Sequence, residues 1–329
     1  MELKKVYDKS YVFRYVEAQS KKRWEQERDM EAGSLFVIGT VLWEMLWKGK
    51  KQSTQFLTPE QMWFTICRYH DRSYETEEQW RYLSDYYTGD RMTWSEKWNI
   101  RTSNAWRPLS TLFAPDFVFG EEGIIFSKDV RVTKSPVAEN DMQDYFHFCC
   151  ACRKNSFLDH GFASGLFFYD QMIKQHIISY IREKKKNEKV DFDRFVREED
   201  TCSVVYDRRQ WALYSYLANC MMLHNMMLHN PEKCVIHEKK LSFLENPMLF
   251  LLILADCLEP LHIYETEGIK SEALLRQIDF YVENDKVTLS LARTSLPFAP
   301  YLTQVMRAAE CLQFRLTYSL TEKQFTVSF

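Results

Sequence analysis

The chain alternates between apolar runs with a helical period and polar stretches rich in Trp and Tyr. Residues 33–47 (GSLFVIGTVLWEMLW) predict an apolar helix behind a polar, mostly helical lead-in over 1–31. Residues 58–71 open with helix-start signals, Thr58 as N-cap, Pro59 at the first helical position and Gln61 three residues after the cap, and run apolar to His70. A further helix is predicted over 160–182. There Phe162, Leu166, Tyr169, Met172 and Ile173 fall near the 3.6-residue period, Asp159 is placed to cap, and the charged run 182–189 ends the helix in solvent. Residues 209–229 predict another helix, closed by Pro231. Glu245-Asn246-Pro247 then opens one that Pro260 ends.

Two stretches break this pattern. Residues 76–145 lack clean periodicity and read as an irregular Trp/Tyr-rich insertion, with short strands at 116–132. After residue 274 the period falls to two: IDFYVENDKVTLSLA reads as strand, turn and strand, 300–314 as a helix, and LTYSLTEKQFTVSF alternates again. The expectation is a mainly α fold: a helical domain over 1–274, followed by a small α+β subdomain over 275–329.

Composition narrows the function classes. An apolar share of 46% over 329 residues supports a sizeable core. A net charge of −3 argues against a general nucleic-acid binder or a membrane-surface binder, since both need a basic excess or patch. Nine Cys without disulfide-framework spacing predict reduced thiols and a cytoplasmic location. Cys149, Cys150 and Cys152 lack the repeated CxxC pairs of a zinc site. The start MELKKVYDKSYVF has no signal-peptide apolar core. The run 248–258 is shorter than the ~20 residues of a membrane span and contains Asp256.

Polar side chains inside the apolar helices carry the chemistry. His70, Asp71, His160, His224 and Asp256 each lie in or beside such a run, where a charge or imidazole is costly without a partner. Neutral imidazoles and carboxylates are ligands for hard or borderline divalent cations. Each also has a structural alternative. His70–Asp71 can be a helix-end pair, His160 a helix start, and His224 a satisfied core histidine. Asp256, set in LLILADCL, demands a partner in any reading. Arg68, Arg72 and Arg153 are candidate phosphate partners, with ordinary surface arginine as the equal alternative.

The order His70-Asp71, His160, His224, Asp256 resembles the HD superfamily of metal-dependent phosphohydrolases, over roughly residues 30–265. It is most similar to the two-metal branch that includes cyclic-dinucleotide phosphodiesterases. The resemblance implies an HD-type helical bundle and one or two divalent ions. Asp71 would bridge, with His70 and Asp256 on one ion and His160 and His224 on the other. Asp71 and Asp256 would be central to catalysis, and a metal-activated water would attack a nucleotide or another phosphate ester. Arg72, Asn225 and Glu259 would lie near substrate, Glu259 also being placed to orient a metal-bound water. His262, after Pro260, is within reach of substrate. The pattern departs at two points. No His precedes His70, where Glu31 could substitute as an oxygen ligand, and Asn225 stands where two-metal members often carry a second His. The alternative implied is a degenerate member that binds or regulates without catalysis.

Overall fold

The computed structural model describes residues 26–47, 59–71, 118–120, 123–125, 159–162, 164–165, 168–169, 172, 208–229, 240–264 and 271–329. These residues are mainly helical, with a small four-stranded antiparallel sheet near the C-terminal end. The chain divides into two compact units. The first comprises Met1–Arg68, Phe119–Gly123 and Ile236–Phe329, the second Tyr69–Val118 and Ile124–Val235. The C-terminal α+β region, expected as a subdomain over 275–329, lies within the first unit.

In the first unit, α1 (Gln26–Leu46) and α2 (Pro59–Tyr69, whose last residue belongs to the second unit) meet at a glycine. Trp63 of α2 is 3% exposed, and its Nε1 donates to the carbonyl of Phe36 at 3.0 Å. A Cβ on Gly39 would overlap the Trp63 indole, lying 2.7 Å from Nε1. The indole therefore lies flat on α1 only because residue 39 has no side chain. Pro59 starts α2 as the sequence predicts. Thr58 lies outside the described residues, as do 1–25, most of 76–145, the run 182–189 and Pro231. The strands expected in 116–132 are present as β1 (Val118–Gly120) and β2 (Gly123–Ile125).

The core of this unit is α4 (Pro247–Leu258). Asn246 caps it, its Oδ1 accepting from Leu249 N at 3.3 Å, and Pro247 occupies the first turn. Every α4 side chain except that of Asp256 is buried. Each large one contributes about 1.5–3 kcal/mol by leaving water. By length and composition the stretch Pro247–Tyr264 could cross a membrane, but 83% of it is buried inside the fold, as a core helix is. α4 packs against α1 and against α7 (Phe298–Cys311). The short α5 (Leu261–Tyr264) follows Pro260, and α6 (Ser271–Gln277) comes next.

The sheet runs in the order β3-β4-β6-β5, all antiparallel, with β3 Asp279–Glu283, β4 Lys286–Ser290, β5 Arg315–Ser319 and β6 Gln324–Ser328. Glu283 pairs with Lys286 across the turn, and Asn284 takes the left-handed conformation at φ 53°, which Asn tolerates. Val287, Leu289, Phe325 and Val327 are buried. The Phe325 ring stands edge-on to Tyr301 of α7 at 5.1 Å. Two hydroxyls tie α7 and its lead-in to the α4–α5 corner: Tyr301 donates to the carbonyl of Leu258, and Tyr264 donates to that of Pro297 at 2.8 Å.

In the second unit the dominant described element is α3 (Arg208–His229), close to the predicted span and buried from Leu213 nearly throughout. Cys67, Cys220, Cys257 and Cys311 are buried thiols. Burial pushes Cys67, Cys220 and Cys257 above the ordinary thiol range.

Gly39→Ala tests the α1–α2 contact. On helix propensity alone the change would stabilise by about 1 kcal/mol. Overpacking against Trp63 should instead give a net loss of roughly 1–2 kcal/mol in urea unfolding, and Trp63→Phe should recover part of it in the double variant. A stabilised Gly39→Ala protein would contradict the packing.

Candidate metal centre

The second unit brings four of the five expected ligands together. His224, on α3, is fully buried. Its Nδ1 lies 2.6 Å from the Met221 carbonyl one turn earlier. A carbonyl only accepts, so Nδ1 carries a proton, and Nε2 is the ring nitrogen left to bind a metal whenever the imidazole is neutral.

His160 begins the helical residues between 160 and 172, where Asp159 Oδ1 accepts from Phe162 N at 3.0 Å, as a cap should. Two glycines set this helix against α3. A Cβ at Gly161 would lie 2.7 Å from the Met221 carbonyl oxygen, 3.0 Å from His224 Cε1 and 3.1 Å from Asn225 Cβ. One at Gly165 would lie 2.6 Å from the Ala218 carbonyl oxygen. Backbone therefore rests on backbone, and the His160 ring comes to 5.3 Å from the His224 ring.

The His-Asp pair arrives from the end of α2. Tyr69 packs its ring 5.3 Å from that of Phe168, and the His70 ring lies 5.7 Å from that of His224. Asp71 stands between the imidazoles, its Oδ2 3.3 Å from His70 Nε2 and its Oδ1 3.3 Å from His160 Nε2. One ligand atom each from Asp71, His160 and His224 lie within 4.8 Å of one another.

Asp71 Oδ1 is buried and makes no hydrogen bond among the described residues. It is near His160 without the alignment of a hydrogen bond. Two ligands bound to one cation at about 2.1 Å stand about 3.0–3.4 Å apart, so the observed separation suits co-ligands. Burial alone would raise the Asp71 carboxyl. The charge and hydrogen bond of His70, with the charges of His160 and then His224, instead hold it far below the usual carboxylate range. Asp71 is thus ionised at neutral pH, as a ligand must be. Asp71 and His160 keep 24% and 18% side-chain exposure, which leaves one side of the group open to water or a small molecule. An imidazole-carboxylate set with an open side fits a divalent cation.

Asp256 lies in the first unit, where its charge helps to raise the Cys67 and Cys257 thiols and the His262 imidazole. Neither Asp256 nor His70 belongs to a three-ligand group among the described residues. Asn225 is buried beside His224. Glu259 is in the first unit, while Arg72 and Arg153 lie outside the described residues. A second group, which the sequence pattern does not join, lies in the first unit: Glu31, Glu259 and His262 also place ligand atoms within 4.8 Å of one another. Burial lowers the His262 imidazole, but the Glu259 hydrogen bond and the charges of Asp256, Glu259 and Glu31 outweigh it and push it up to about 9.

No family model, curated protein or solved structure matches this chain.

Gly161→Ala tests the approach that places His160 against His224. The added methyl meets backbone, which yields less readily than a flexible side chain. The loss expected on thermal or urea unfolding is roughly 1–3 kcal/mol. Unchanged stability would show that the two helices do not touch there.

Proposed function

We propose that the chain is a metal-dependent phosphohydrolase of the HD type, cytoplasmic, acting on a nucleotide or another small phosphate ester. The observation that carries this reading is the Asp71–His160–His224 group, with a buried, ionised carboxylate oxygen 3.3 Å from an imidazole nitrogen and aligned with no donor among the described residues. Asp71, His160 and His224 would hold a divalent cation, and that cation would supply Lewis acidity toward a phosphoryl oxygen and a lowered pKa for water.

The chain's own residues account for the rest. The Met221 carbonyl fixes the His224 tautomer and points Nε2 away from the α3 backbone. His70, against Asp71 Oδ2, holds the carboxylate so that Oδ1 faces His160. Burial of His224 and of Asp71 Oδ1 strengthens the charge interactions within the group.

A second reading is a binding protein of the same architecture without turnover. It is favoured by the lack of any His before His70 and by Asn225 standing after His224.

Elemental analysis combined with a turnover panel separates the two. The purified chain should carry a divalent metal and hydrolyse at least one of p-nitrophenyl phosphate, bis(p-nitrophenyl) phosphate, nucleoside phosphates or cyclic dinucleotides. Chelation should abolish activity. Asp71→Asn and His224→Ala should each lower kcat/KM by roughly 100-fold, at the upper end of what even outer partners of a metal cost. Bound metal without turnover supports the binding reading. Neither metal nor turnover overturns the phosphohydrolase reading.

A further inference from the structure

Glu31 on α1, Glu259 at the C-terminal cap of α4 and His262 on α5 come together in the first unit. Glu259 is the central member, at 1% exposure. Its Oε2 is fully used. It accepts from the backbone N of Leu261 at 2.7 Å and of His262 at 3.2 Å, and lies 3.5 Å from His262 Nδ1. These bonds explain Glu259 as the residue that turns the chain through Pro260 into α5.

They do not explain its other oxygen. Oε1 is buried and makes no hydrogen bond among the described residues. A carboxylate oxygen removed from water without a donor is strongly disfavoured. Glu31 adds a second carboxylate to the group, and the charges of Asp256, Glu259 and Glu31 all act on the His262 imidazole. His262 already pairs with Oε2, so it leaves Oε1 unanswered.

We infer that Glu31, Glu259 and His262 form a second divalent-cation site, held within the first unit and independent of the Asp71 centre. Two carboxylates, one imidazole and no thiolate select a harder first-row ion of the Mn²⁺ or Fe²⁺ class over Cu⁺ or a thiolate-bound Zn²⁺. Glu31 and His262 are partly exposed, so an ion has a route in and keeps positions for water. The site would tie α1 to the α4–α5 corner, so that ion binding stabilises the fold by linkage.

The test is Mn²⁺ alone titrated into the full-length chain after chelation, followed by calorimetry and by the EPR signal of unbound Mn²⁺. His224→Ala provides a background in which the Asp71 centre is disabled. In that background one ion per chain should still bind and raise Tm. Glu31→Gln, which leaves the Glu259 caps intact, should weaken that ion by at least about tenfold, as metal-site substitutions do. Glu259→Gln should do the same, with circular dichroism confirming that its helices persist. A failure of the Asp71 reading leaves this result unchanged, since wild type and His224→Ala would then bind the same single ion. The inference is overturned if His224→Ala binds no Mn²⁺, or if Glu31→Gln titrates like its parent.

Discussion

A carboxylate in a largely apolar interior must be answered by positive charge or by donors, and that requirement organises two polar groups among the described residues. In the second unit the carboxylate is Asp71, ringed by His70, His160 and His224. In the first it is Glu259, with Oε2 satisfied by backbone N–H groups and Oε1 buried without a hydrogen bond among the described residues. Imidazoles answer such a charge in two ways, by carrying a proton or by sharing a cation. A shared cation uses His224 in the tautomer its Met221 bond imposes.

Packing decides where these groups can form. Gly161 and Gly165 let one helix rest on the α3 backbone, and without that approach the His160 and His224 rings could not stand 5.3 Å apart. Gly39 does the equivalent for Trp63 on α1. The tyrosine hydroxyls reaching the Leu258 and Pro297 carbonyls hold the corner where Glu259 turns the chain. Interiors packed at this density give little, so the ligand geometry is set by backbone contacts and not by flexible side chains.

Local signals in the sequence were legible because local physics produces them. Pro59, Asp159 and Asn246-Pro247 mark helix starts by satisfying or removing orphan N–H groups, and each start lies where those residues put it. The strand-turn-strand of 279–290 followed from period-two patterning around Asn284. His70, Asp71, His160 and His224 stood out as polar residues in apolar runs, and they meet. Less legible was what depends on tertiary approach. Glu31 and Glu259 are far apart in the chain, and only the packing of α1 on α4 brings them together. Asp256 is the acid set within the apolar helix, yet its neighbour one turn on, Glu259, is the more deeply buried. The division into units was also hidden, since α2 is a continuous helix whose last residue belongs to the second unit. The GFASG spacing carried the helix-packing signal, two small residues four apart, and could have been read from sequence.

The account rests on a cation shared by Asp71, His160 and His224. Anomalous diffraction from crystals of the chain grown with Mn²⁺ tests this most directly. The account predicts an anomalous peak about 2.0–2.2 Å from an Asp71 carboxylate oxygen, a His160 ring nitrogen and His224 Nε2. Clean density without a peak there, with Asp71 satisfied by imidazole N–H donors alone, would contradict it.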